Sequence, residues 1–132
     1  EVLQKLGSQH VMIVHAEDGM DEISIGATTH IAELRDNTIT EYTVNPEDFD
    51  VQRAEISNLA VTDATQSLQI IRDIFAGQAG PARDIVVLNA AAALIVAGKT
   101  DTLEEGAAIA QMAINSGGAK DVLDRLVAVT NG

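Results

Sequence analysis

Glu17-Asp18-Gly19-Met20-Asp21-Glu22 sets four carboxylates within six residues. Like charges at this density repel unless a cation sits among them, and oxygen donors of this kind suit Mg2+ rather than zinc. Metal binding is one reading of the segment; a solvated acidic turn is the other, and spacing alone leaves the two even. The calcium loop of an EF-hand is excluded, because the acids do not alternate at its first, third and fifth positions and no Glu stands at its twelfth. His15, just before the loop, is read as a core histidine with a satisfied ring, with a role as acid/base or as a neighbour of the metal ligands as the alternative. Gly98-Lys99-Thr100 ends like a phosphate-binding P-loop, but Ala93 stands where that motif needs its first Gly. A helix precedes Gly98, which is better explained as its C-cap. Asn89, a lone polar residue on an apolar helix, is read as an amide that satisfies nearby backbone groups. There is no Gly-x-Ser-x-Gly motif and no Cys, so no catalytic nucleophile is assigned.

These residues need elements to hold them. His10 to His15 is a short apolar run that suits a strand buried on both faces of a largely parallel sheet, and the acidic loop leaves its C-terminal end, where open α/β sheets bind ligands. Thr29 to Leu34 and Ile39 to Val44 are β-prone segments joined through Asp36-Asn37, a pair able to take the positive φ of a tight hairpin turn. Asn45-Pro46-Glu47-Asp48 has the cap residue, Pro and acids that start a brief helical turn. Residues 50 to 63 read as a connection. From Ala64 the chain turns helical. Leu68, Ile71, Ile74 and Phe75 share one face of a first helix, and Asp84 is placed as the cap of a central, almost wholly apolar helix over Ile85 to Ala97. Thr102-Leu-Glu-Glu105 fits a capping box opening a third, and Val122, Leu123, Leu126 and Val127 mark a fourth over Ala119 to Val129. Val2, Leu3 and Leu6 before Gly7 look like the end of a helix, so the chain is expected to be cut from a longer protein.

Length and composition narrow the functions. The 132 residues suit one domain, and a 46% apolar fraction argues for a folded chain. A net charge of -12 and three aromatic residues (Tyr42, Phe49 and Phe75) disfavour a nucleic-acid or membrane-surface partner. The longest apolar stretch, Ile85 to Ala97, falls short of the roughly 20 residues of a membrane helix. No signal peptide is recognisable at Glu1, and a cytoplasmic location is expected.

Asp18-Gly-Met-Asp-Glu-Ile-Ser24 after the strand is joined by Ala32-Glu-Leu-Arg-Asp36, Pro46-Glu-Asp-Phe49, Pro81-Ala-Arg-Asp84, Leu88-Asn-Ala-Ala-Ala-Ala-Leu94, Leu103-Glu-Glu-Gly106 and Ser116-Gly117. Together these segments resemble the C-terminal portion of the anthranilate phosphoribosyltransferase family, with Met20 where the family's signature has Leu. Asp63 to Ser67 departs from the Gly-Gly-Asp-Ala-x-Glu-Asn of many members. The resemblance implies an α/β fold, the C-terminal lobe of a phosphoribosyltransferase or nucleoside-phosphorylase-like catalytic domain, with a core strand, a β-hairpin and about four helices. It implies transfer of phosphoribose from phosphoribosyl pyrophosphate to anthranilate in tryptophan biosynthesis, Mg2+ as cofactor, Asp21 and Glu22 as its ligands, and a homodimeric intact enzyme. Glu17 and Asp18 are weaker candidates near the metal. The family's Gly-Thr-Gly-Gly-Asp loop, Lys-His-Gly-Asn segment and anthranilate-binding Arg lie upstream of Glu1, so residues 1–132 alone are expected to be inactive. A pyrimidine-nucleoside-phosphorylase-like fragment and a noncatalytic acidic module that binds a cation or a protein are the rivals.

Overall fold

The computed structural model describes residues 1–132. In chain order it has α1 (Val2–Lys5), β1 (His10–Ala16), β2 (Thr29–Arg35), β3 (Thr38–Val44), α2 (Ala64–Phe75), α3 (Pro81–Val96), α4 (Leu103–Asn115) and α5 (Gly118–Asn131). Short 3-10 turns lie at Pro46–Phe49 and Ile56–Leu59. No helix is long and apolar enough to cross a membrane.

Asp36 and Asn37 take φ of 49° and 61°, the left-handed pair of a two-residue hairpin turn, so β2 and β3 pair antiparallel from Arg35↔Thr38 to Thr29↔Val44. The expected hairpin is present. The expected parallel setting of β1 is not. β1 pairs antiparallel with β2, from His10↔Arg35 to Ala16↔Thr29, and lies at the edge of a three-stranded sheet ordered β1-β2-β3. An apolar run reports that a strand has greasy faces, not which way its neighbour runs. Here the neighbour returns through a loop with no crossover helix, and such a connection requires the antiparallel pair. Nor is β1 buried on both faces: Ile13 is 56% exposed, while Met12 and Val14 turn to the core.

α3 is the centre of the fold. Ile85, Leu88 and Ala92 pack with Ile23, Ile25, Ile31 and Val44 on the sheet side, while Val87 and Ala91 pack with Ile74, Ala107, Ala110 and Ile114 on the helical side. A helix that serves two cores has to be apolar nearly all round, as its sequence is; each Ile or Leu so buried contributes ~1.5–3 kcal/mol. α4 approaches α3 closely at Gly106, where a Cβ would stand 2.9 Å from the Ala91 carbonyl oxygen. α3 starts earlier than expected, with Gly80 as N-cap and Pro81 in the first turn, so Asp84 lies inside that turn and is not the cap. Proline's fixed φ starts the helix there.

At α4, Thr102 Oγ1 accepts the Glu105 N–H at 3.2 Å, while the Glu105 carboxylate turns to the Thr100 hydroxyl at 2.7 Å. Only half of the expected capping box forms. Gly98, at φ 65°, ends α3 as expected. α5 buries no residue, and Val122, Leu126 and Val127 are each more than half exposed.

Candidate functional site

The acidic loop runs from the end of β1 to the start of β2, and its backbone is held on both sides. At its entry the Gly19 N–H donates to the Ala16 carbonyl at 2.9 Å and the Ala16 N–H to the Met20 carbonyl at 3.0 Å. Gly19 has φ 92°, which a side chain would strain. At its exit Ile23, Ser24 and Ile25 are almost fully buried, and several of their polar groups are bonded into the fold. The Ile23 N–H donates to Asn89 Oδ1 at 2.9 Å and its carbonyl accepts Asn89 Nδ2 at 3.0 Å. The Ser24 N–H donates to Thr29 Oγ1 at 3.0 Å, and the Ile25 carbonyl accepts the Ala54 N–H at 3.0 Å. No buried side-chain polar atom is left without a partner.

The four carboxylates of the loop differ. Asp18 Oδ2 accepts the Ser24 hydroxyl at 2.5 Å and its Oδ1 accepts the Met20 N–H at 3.2 Å, so Asp18 ties the loop to its own exit. Glu17 lies 3.3 Å from His30 Nε2 across the sheet end. Asp21 and Glu22 are exposed neighbours that make no hydrogen bond or ion pair through their side chains. Gly26 fits tightly beside Asp18: a Cβ there would meet the Ala54 carbonyl oxygen at 2.9 Å and Asp18 Oδ2 at 3.2 Å. Arg53 braces the same corner. It bonds Glu47 at 2.6 Å, Asn45 Oδ1 at 3.1 Å and the Gly26 carbonyl at 3.3 Å. Its hydrogen bond holds the Glu47 carboxyl below the usual range.

His15 is a correction. Its ring is exposed and has no hydrogen-bond partner, because alternation along β1 sends it to the outer face with Ile13 while Met12 and Val14 face the core. The Asn89 reading holds, and the structure adds its partner: the amide that satisfies backbone groups satisfies those of Ile23, 66 residues away. No local signal in the sequence names that partner.

The donor set of the loop can be matched to Mg2+. No three His, Cys, Asp or Glu side chains converge anywhere in the chain, so the loop offers at most two direct ligands, and both are carboxylates. A hard cation that keeps several waters and shares its remaining positions with phosphate oxygens suits two such donors; zinc, which asks for four nitrogen or sulfur ligands, does not.

The family model described as "Glycosyl transferase family, a/b domain" matches residues 1–120. The chain is similar to the anthranilate phosphoribosyltransferase of Thioalkalivibrio sulfidiphilus, with 56% identity over 98% of this chain and 38% of that protein. It is similar also to that of Methylococcus capsulatus, with 50% identity over 98% and 38% respectively. The chain thus spans about 38% of the length of the curated relatives it matches. Among solved structures it superposes on the anthranilate phosphoribosyltransferase of Thermus thermophilus with a TM-score of 0.87 and 32% identity, covering 98% of this chain and 38% of that one. The Saccharomyces cerevisiae enzyme in complex with PRPP and Mg shares the fold, with a TM-score of 0.79 and 21% identity over 87% of this chain and 33% of that one.

Proposed function

The chain belongs to the glycosyl transferase family, α/β domain, and from that premise we propose that it forms the C-terminal part of an anthranilate phosphoribosyltransferase and contributes the metal-binding loop to its active site. The observation that carries the reading is the loop itself: two free carboxylates, Asp21 and Glu22, on a backbone pinned at both ends, in a chain 56% identical to such an enzyme over 98% of its length. The reaction would join the amino nitrogen of anthranilate to the ribose C1 of phosphoribosyl pyrophosphate as the C1–oxygen bond to pyrophosphate breaks, the amine's proton passing to water. Mg2+, when bound, would neutralise charge on the departing pyrophosphate. Asp21 and Glu22 would hold it, in part through water. Asp18, already engaged by Ser24, keeps the loop's shape. No residue of this chain is assigned to the nucleophile or its base. Tryptophan biosynthesis, homodimeric assembly and a cytoplasmic location belong to the same proposal, as does the inactivity of residues 1–132 alone, since half a site does not orient two substrates.

The test uses the full-length protein. Anthranilate fluorescence should fall only when phosphoribosyl pyrophosphate and Mg2+ are both supplied, with pyrophosphate released, and a chelator should stop the reaction. Anthranilate left intact, or phosphorolysis of a pyrimidine nucleoside in its place, would overturn the proposal.

A further inference from the structure

Asn89 stands in the middle of α3, one turn beyond Ile85, on a helix whose other inward side chains are apolar. Its amide is bonded at both ends. Nδ2 donates to the Ile23 carbonyl and to the Ile85 carbonyl, both at 3.0 Å, while Oδ1 accepts the Ile23 N–H at 2.9 Å. The bond to Ile85 locks the amide plane against its own helix. The other two take the donor and the acceptor of one residue on the far side of the interface.

An apolar side chain would fill the same place, but it would leave the N–H and C=O of Ile23, a residue 1% exposed, without those partners. Ile23 is the residue after Glu22. We propose that Asn89 is a positioning residue for the acid pair: by fixing the backbone of Ile23 to the central helix, it sets where the Asp21 and Glu22 carboxylates stand. The proposal rests on the metal-ligand reading of those two acids. Neither carboxylate is held by a side chain of its own, so the backbone on which they sit is the part of the fold that limits their placement. Ligands keep their affinity when the groups behind them are held, and loss of such a group costs about tenfold or more in metal binding.

The experiment titrates the full-length protein with Mg2+ in the presence of pyrophosphate and follows binding by calorimetry. Asn89→Ala should weaken binding about tenfold. Asn89→Asp, which keeps the acceptor but sets a carboxylate oxygen against the Ile23 and Ile85 carbonyls, should weaken it at least as much. Ile74→Ala, in the helical core away from the loop, should lower the melting temperature without moving Mg2+ binding. In the Asp21→Asn/Glu22→Gln background, Asn89→Ala should add no further loss. If that double variant weakens binding while Asn89→Ala does not, or if Ile74→Ala weakens it as much as Asn89→Ala, the positioning role is overturned and the metal reading stands. If neither Asn89 variant folds, Asn89 is a folding residue and the proposal is likewise overturned. Should the double variant bind Mg2+ as the wild type does, the metal reading falls, and this inference with it.

Discussion

Asp18 and the Asp21-Glu22 pair lie three residues apart on one loop, yet Asp18 accepts the Ser24 hydroxyl at 2.5 Å and the Met20 N–H at 3.2 Å, whereas Asp21 and Glu22 are exposed and unbonded. The first carboxylate completes a turn; the other two complete nothing within the chain. A charge that the fold uses is costly to remove and poorly placed to serve a ligand. A charge that the fold does not use can be removed without structural loss and is open to a cation. The contrast separates scaffold from candidate site in a segment where composition alone shows only four acids.

The largest effect expected is at the free pair. Asp21→Asn with Glu22→Gln in the full-length protein should lower turnover about a hundredfold at limiting Mg2+. Its melting temperature should stay within about a degree of the wild type's, since exposed, unpaired side chains contribute little to stability. A melting temperature several degrees lower would dissolve the contrast.

Next come the scaffold positions, one in the helical core and one within the loop. Gly106→Ala drives a methyl against Ala91 and should destabilise by ~1–3 kcal/mol, read as a lower denaturant midpoint, while the Mg2+ requirement of turnover is unchanged. Ser24→Ala frees the bound half of the loop. It removes the donor to Asp18 and the acceptor of the Gly26 N–H, at a cost of about 1 kcal/mol each in denaturant unfolding, and it should raise the Mg2+ requirement modestly by loosening the turn.

The smallest effect lies within the sheet. Tyr42 donates to Glu33 Oε2 at 2.9 Å, and burial, then that hydrogen bond, raises its pKa above the ordinary value of 10.0. A phenol whose folded pKa is raised stabilises the fold fully below its unfolded pKa and loses that contribution as pH climbs through the folded value. Thermal stability should therefore decline above about pH 10. Tyr42→Phe should cost up to about 1 kcal/mol at neutral pH and flatten that alkaline decline, with no change in Mg2+ dependence. A Mg2+ effect from Tyr42→Phe would mean that the sheet and the loop are coupled.

What was legible in the sequence follows the range over which each signal acts. The hairpin could be read from Asp36-Asn37 and the helix ends from Gly98 and Thr102, because those residues act on their own turn. The acid pair could be singled out as a candidate from the family's signature, and Asn89 as a satisfied amide from its isolation among apolar neighbours. The direction of β1's partner was not legible, since an apolar run looks the same in either setting. Nor was the exposure of His15, which depends on which face of the sheet meets α3. Asp84 was misplaced because it and Pro81 both suit a helix start, and proline's fixed φ prevailed. The bond from Asn89 to Ile23 joins residues 66 apart, a distance that no local pattern spans.

The proposed metal ligands, Asp21 and Glu22, are best probed by the turnover of the full-length protein with anthranilate and phosphoribosyl pyrophosphate, measured against Mg2+ concentration for the wild type and the Asp21→Asn/Glu22→Gln variant side by side. The variant curve should be displaced to at least about tenfold higher Mg2+, with activity partly recovered at the top of the range. Superimposable curves would contradict the proposal and return the loop to a solvated acidic turn.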